Sequence, residues 1–214
     1  MTPSSPSVVF PDVEWPDRAW FRSNILLDDT GSPFGSDGTS RSLTQGNDRA
    51  LLRALRQDAH AIVTGGETVR TEGWHFPPSG YLFVASQGNL PLGSCPDVER
   101  LRVFQFSESR PRSLADELTK LSSECNIASL LCESGLSLLR ALVADELIDE
   151  VFVSVAVTTD SPRHGTADAE QTARRTLLLQ PDSYRLGESV RESDMTYLRF
   201  VRHSPRLSPV FAPA

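Results

Sequence analysis

Lysine is almost missing from this chain of 214 residues: Lys120 stands alone among 21 basic side chains, the others being arginine. Arginine offers a planar fork suited to phosphate as well as simple charge. The ratio therefore fits a composition bias or phosphate recognition, and positions must decide. Cysteine is scarce too. Cys95, Cys125 and Cys132 are odd in number and show no C-x-x-C spacing, which argues against a disulfide framework or a zinc site. The four histidines are scattered, and neither H-E-x-x-H nor G-x-S-x-G occurs, so no metal is expected. No apolar run approaches the ~18 residues of a transmembrane helix. Residues 1–17 lack a basic patch followed by an apolar core. There is no basic excess either: the net charge is −7 and the pI about 5.1. That balance argues against a broad nucleic-acid or anionic-membrane footprint while leaving room for a local basic pocket. A cytoplasmic, metal-free protein with neither nucleic acid nor membrane as partner is expected.

What is present is globular in composition, with 39% hydrophobic and 23% charged residues. Prolines crowd both ends: Pro3, Pro6, Pro11 and Pro16, then Pro205, Pro209 and Pro213. Such spacing blocks helices and sheet ladders, giving extended surface arms or disordered ends. The expected organisation is an arm over 1–17, one domain over 18–203 and a tail over 204–214.

Within that domain, strand-like and helix-like patterns alternate. Ala19–Leu27 reads as a strand ending in the polar turn Asp28–Gly38. Asn47–Gln57 carries Ala50, Leu51, Ala54 and Leu55 on one helical stripe, with Asn47 or Asp48 as cap. Ala59–Thr64 is a buried strand feeding Gly65-Gly66. Tyr81–Ala85 and Leu101–Phe106 are short strands. Ser113 caps a helix over Leu114–Glu124, Ile127–Cys132 is another buried strand, and Leu136–Ala144 reads as a helix. Ile148–Thr158 and Tyr197–Val201 alternate as late strands. Short apolar strands each followed by a helix imply an α/β domain whose sheet is covered on both faces, with an antiparallel C-terminal end.

Ligands of open α/β sheets bind beyond the carboxyl ends of the strands. Two turns stand there: Thr64-Gly65-Gly66-Glu67-Thr68-Val69-Arg70 and Cys132-Glu133-Ser134-Gly135-Leu136-Ser137. Glycines allow close approach to a phosphate, and a following helix start offers free N–H groups. On spacing alone, each turn is equally a tight connection that happens to use glycine.

Taken in order, the motifs resemble the reductase domain of riboflavin biosynthesis. That family carries a strand ending in S-L-D-G, a helix ending in L-R, then D-A-I-L-V-G-x-x-T-V-R-A-(D/E), E-G-G-x-x-L and G-L-V-D-E-L. Here Arg22–Leu27 leads to a turn closing at Gly31, Leu55-Arg56 ends a helix, and Ala59–Gly73 follows as A-H-A-I-V-T-G-G-E-T-V-R-T-E-G. Glu133–Leu138 and Glu146–Val151 match the later motifs. The resemblance covers roughly Trp20 to Val201. It implies a dihydrofolate-reductase-like fold, a mixed and mostly parallel sheet with helices on both faces and antiparallel C-terminal strands. It also implies NADPH as cofactor, a small heterocyclic substrate and a homodimer built through the late strands.

Carried over by position, Gly65, Gly66, Thr68 and Val69 would face the cofactor's phosphates or nicotinamide. Glu72 matches an acidic position beside the cofactor, and Ser86 one near the adenine ribose. Gly135, Leu136, Ser137 and Leu138 would hold the pyrophosphate. Asp28, Ser40, Arg56 and Glu133 match substrate-side positions. No general acid is assigned; Glu72 and Asp28 are the candidates.

The chain also departs from that pattern. S-L-D-G has become Asp28-Asp29-Thr30-Gly31, two carboxylates that would repel a phosphorylated substrate if they faced it. E-G-G has become Glu133-Ser134-Gly135. The proline after the late strand is absent, and Pro162-Arg163-His164-Gly165 replaces a double glycine. No arginine for a substrate phosphate occurs in Phe76–Gly80, and the motifs of the fused zinc deaminase are missing. Two readings follow: an NAD(P)H-dependent reductase of a pyrimidine or pterin-like compound, with dihydrofolate-reductase-like activity as a variant, or a non-catalytic, ligand-binding or dimeric descendant of the fold.

Overall fold

The structure, a computed structural model, describes residues 9–10, 14–16, 19–44, 46–105, 114–157 and 165–204. Among them the elements run β1 (Trp20–Asp28), α1 (Asp48–Gln57), β2 (Ala61–Gly65), α2 (Gly66–Glu72), β3 (Tyr81–Ala85) and β4 (Leu101–Phe104). Then follow α3 (Leu114–Cys125), β5 (Ser129–Cys132), α4 (Leu136–Ala144), β6 (Glu150–Ala156), α5 (Thr166–Leu177), β7 (Tyr184–Glu192) and β8 (Met195–Arg202). The strands form one sheet in the order β4-β3-β2-β5-β1-β6-β8-β7. Pairing is parallel from β4 to β1 and antiparallel along β6-β8-β7. This is the mixed α/β sheet with antiparallel C-terminal strands that the alternation predicts. No helix among the described residues is long and apolar enough to cross a membrane.

The chain divides into two compact units, one from 15–23 and 56–149, the other from 24–55 and 150–203 together with the first residues. In the first, β2 pairs with both β3 and β5. Ala61 to Thr64 and Ser129 to Cys132 are buried on alternating faces, the signature of parallel strands covered on both sides. The core is aliphatic: Ile62, Val63, Leu130, Leu131 and, from α4, Leu139 and Leu142 are at most 1% exposed. Asp149 ties the start of β1, its carboxylate accepting from Phe21 N at 3.0 Å while its own N–H donates to Phe21 O at 2.8 Å.

In the second unit β8 lies between β6 and β7. Arg199 on β8 links the three strands, reaching Glu150 at 2.5 Å and Glu188 at 3.0 Å. The β7–β8 hairpin turns at Ser193, which takes φ 51°, and bulges between Leu186 and Glu188. Asn47 precedes α1 and its carbonyl accepts from Leu51 N at 2.9 Å. Its N–H donates to the Tyr197 hydroxyl on β8 at 2.9 Å, and its amide donates to Glu192. The expected N-terminal arm has a buried part: Phe10 is fully covered, its ring 5.7 Å from that of Phe152.

Two elements have no counterpart in the sequence expectation, α5 and β7. The buried stripe of α5 is Ala169, Thr172, Ala173, Thr176 and Leu177, correct in period but made of small and hydroxylated residues. β7 is an edge strand with mostly exposed polar positions. Phe106, the Ser113 cap, Thr158, Pro162 to His164 and most of the proline-rich ends lie outside the described residues.

Candidate functional site

Thr64 ends the buried part of β2 and joins it to β5. Its hydroxyl donates to Glu133 O at 2.7 Å, beside the ladder bond from Glu133 N to Val63 O at 2.9 Å. The two glycine turns therefore leave from neighbouring strand ends, where Val63 faces Cys132. All the residues expected to bind the cofactor, with Arg56 and Glu133, belong to this one unit.

The glycines differ in what they do. Gly66 is packed: a Cβ there would stand 2.3 Å from Ser86 Oγ and 2.7 Å from Ser86 Cβ, so the chain's own packing requires glycine. Gly65 and Gly135 are not explained in that way. Both have extended backbones, with φ −89° and −64°, that any residue adopts. A Cβ at Gly65 would meet only Thr68 Oγ1, at 3.8 Å, and one at Gly135 would meet nothing within 4 Å. Each occupies the N-cap position of its helix, α2 or α4, and offers no side chain to bond the first-turn N–H groups.

Within the same set, Val69 and Leu138 are core residues at 2% and 4% exposure, so they offer only backbone to a ligand. Leu136 is half-buried, while Ser137 and Glu72 are exposed. Ser134, the departure from a double glycine, is turned back on its own strand. Its hydroxyl lies 3.2 Å from Cys132 Sγ and donates to Gly135 O at 3.2 Å. Burial pushes the Cys132 thiol up to about 12, which keeps it neutral. Ser86 follows β3, its N–H donating to Phe104 O at 3.0 Å and its hydroxyl closing the turn to Gly88.

Of the residues expected on the substrate side, Arg56 from the last turn of α1 grips Glu133 with two hydrogen bonds, Nε to Oε1 at 2.7 Å and Nη2 to Oε2. Burial works against the guanidinium's charge. The bonds to Glu133, that carboxylate's charge and the charge of Glu72 outweigh it and raise the Arg56 pKa. Asp28 and Ser40 belong to the other unit. Asp28 is occupied locally: Oδ1 accepts from Thr30 N (2.9 Å), Thr30 Oγ1 (2.7 Å) and Ser32 N (2.8 Å). That is an Asx turn, so this carboxylate fastens the turn after β1. Asp29 is buried, and its carbonyl accepts from Thr172 on α5 at 3.2 Å. Gly31 takes φ +94° and lies so close to Thr176 that a Cβ would fall 2.1 Å from its hydroxyl. Ser40 opens a short 3-10 turn, and its carbonyl accepts from Thr44 Oγ1.

Thr64 and Arg70 stand in the first glycine turn but have no role in the expected site. The first was legible as a small polar residue closing an apolar run. Arg70 pairs with Glu67 as the i, i+3 spacing suggests, but it also reaches the loop after β3, bonding Asn89 O at 3.3 Å.

No protein-family profile matches the chain, and no curated protein does. Solved structures do match. RibD of Acinetobacter baumannii is 19% identical with a TM-score of 0.63, over 86% of this chain and 58% of that one. This chain thus spans little more than half of that protein. A pyrimidine reductase-like protein from Corynebacterium diphtheriae is 16% identical, TM-score 0.62, over 87% of this chain and 93% of that one. Dihydrofolate reductase from Enterococcus faecalis, complexed with NADP(H), is 11% identical, TM-score 0.52, over 86% and 97% of the two chains. The chain therefore has the dihydrofolate-reductase-like fold, which it shares with reductases of riboflavin biosynthesis.

Proposed function

We propose that the protein is an NADPH-dependent reductase acting on a small pyrimidine or pterin-like heterocycle. One observation carries this: at the ends of two hydrogen-bonded strands, Gly65 and Gly135 leave open the space that a Cβ would fill. Neither backbone strain nor packing within the chain demands glycine at those positions, and room for a ligand that approaches the backbone closely is a physical reason for it. The uncapped first turn of α4 suits a pyrophosphate there, held by N–H groups and the helix dipole. The NADP(H) complex of the enterococcal neighbour supports the choice of nicotinamide cofactor. When bound, the cofactor supplies a hydride.

The chain's own residues bind and orient. Thr64 locks the two strand ends together, fixing the spacing of the turns. Arg56 holds Glu133 by a two-point fork that fixes its plane. In this reading Glu133 accepts from an N–H or amino edge of the heterocycle. With Asp28 consumed by its turn, the carboxylate that would have opposed a phosphorylated substrate has a local structural task instead.

The test is a fluorescence titration with NADPH. Saturable quenching of the tryptophans supports the proposal, and its absence at millimolar cofactor sinks it. The homodimer, built through the late strands, is part of the proposal. It rests on the resemblance and on β7 being an edge strand. Sedimentation at a monomer's mass across a wide concentration range would dispose of it.

A further inference from the structure

We propose that a proton on Asp48 works a latch between the start of α1 and the β7–β8 hairpin: the carboxylic acid fastens it and the carboxylate loosens it. The latch requires neither cofactor nor substrate.

Its catch is Tyr197 on β8. The phenol oxygen accepts from Asn47 N at 2.9 Å, and the backbone N–H of Asp48 also acts on it. A side chain from the sheet thus takes up the first amides of α1, the usual task of an N-cap side chain. The Asn47 side chain is spent elsewhere, its amide donating to Glu192 Oε2 on β7 at 2.7 Å. Gly46 lets the loop come this close. It takes φ +52°, and a Cβ there would stand 3.0 Å from the Tyr197 hydroxyl. The hairpin tip is tied to the end of β6, where Val157 N donates to Asp194 O at 2.7 Å.

One carboxyl in this cluster lacks the partners that its burial demands. Asp48 is only 5% exposed, and its Oδ1 has no hydrogen-bond partner. Ser154 on β6 stands opposite Tyr197 in the strand register, fully buried, and its hydroxyl oxygen has no partner either. That hydroxyl steadies the Asp48 charge only in part, and burial, the larger effect, pushes the carboxyl's pKa up. The charged and titratable groups facing the cluster are Arg49 on α1, Tyr197 on β8 and Glu192 on β7, while β6 presents the neutral Ser154. Arg49 is exposed, so water screens its charge.

The Tyr197 hydroxyl has one proton to donate, and the charges of both Asp48 and Glu192 act on it. It can satisfy one carboxylate only. A protonated Asp48 ends that competition and becomes a donor itself, able to bond the orphaned Ser154 oxygen. The closed latch therefore binds the proton more tightly than the open one. Closure is favoured as pH falls and loses ground as pH rises.

The test is amide hydrogen exchange read by NMR from about pH 8 to about pH 4, expressed as protection factors so that the intrinsic pH dependence cancels. Protection of the Asn47 N–H should rise by at least about three-fold on acidification, and by more than any change at the Leu131 N–H in β5. The midpoint should coincide with the titration of the Asp48 carboxyl carbon, measured in the same wild-type samples. Asp48→Asn should hold the acid-side protection at every pH, and Glu192→Gln should keep the wild-type slope. Flat protection in the wild type overturns the inference, as does a midpoint apart from that of Asp48. So does a slope that survives in Asp48→Asn or vanishes in Glu192→Gln. An equal rise at Leu131 overturns it too, because the proton would then act on the whole fold.

Discussion

Gly65 and Gly135 sit at the ends of adjacent strands, and neither has a neighbour that its missing side chain would crowd. Gly66, next in the chain to Gly65, is the opposite case, pressed against Ser86. The contrast separates a glycine that the fold needs from one that packing within the chain does not explain.

Substitution tests that separation. Gly135→Ser should leave stability unchanged or raise it by a few tenths of a kcal/mol, because serine is a good N-cap at this extended backbone. It should weaken NADPH binding by at least about ten-fold, since the new hydroxyl takes the N–H groups and the space. Gly66→Ala should do the reverse in kind, costing about 1–3 kcal/mol of stability through the clash with Ser86. Urea denaturation alongside the titration reads both. A Gly135→Ser variant that binds NADPH like the wild type removes the main support for the cofactor site.

Arg56 and Glu133 are 77 residues apart, and their fork is partly exposed, at 25% and 13% for the two side chains. Removing one partner by Arg56→Met should cost about 1–3 kcal/mol, a range set by charged hydrogen bonds and reduced by solvent screening. Arg56→Met combined with Glu133→Gln should cost less than the two single losses added together, because neither then leaves a half-buried charge alone. Strict additivity in chemical denaturation would mean that the fork carries no coupling.

Much of this was legible beforehand, for physical reasons. Parallel strands buried on both faces must be apolar throughout, so A-I-V-T-G and S-L-L-C stood out beside their glycines. The separation between Arg56 and Glu133 hid their pairing, since nothing local links a helix end to a distant strand end. Asp28 was placed in a polar turn, but the task of its carboxylate within that turn was not visible. Its three donors lie within four residues, and an Asx turn competes with every other use of the carboxylate. The α5 helix escaped notice because its buried stripe is alanine and threonine up to Leu177 at its end, and those residues carry little hydrophobic signal.

The proline-rich start of the chain was read as an arm, yet Phe10 within it is fully buried against Phe152. Phe10→Ala should therefore cost about 3–5 kcal/mol, the usual range for emptying a buried aromatic site. Replacing exposed Phe34, which is 59% accessible, should cost far less. Equal unfolding midpoints for the two variants would mean that the arm does not contribute to the core.

Asp48 opens α1 while only 5% exposed, and its Oδ1 has no hydrogen-bond partner. Burial pushes its carboxyl pKa up, offset only in part by the Ser154 hydroxyl and the charge of Arg49. The Tyr197 hydroxyl is near enough for the Asp48 charge to help raise its pKa, after burial as the larger cause. For a carboxyl raised in the folded state, the protonated form is the one the fold favours. Its contribution is complete below the unfolded pKa, about 3.9, and is lost as pH rises through the folded value. At pH 7, where the unfolded group is ionised, its burial therefore weighs against folding. Asp48→Asn, which carries no charge at any pH, should be more stable than the wild type at pH 7, and the gap should close as pH falls towards about 4. Denaturation curves for both proteins between pH 4 and 7 read the slope directly. A gap that widens on acidification would mean that the charge is needed, held by a donor that the fold presents to it.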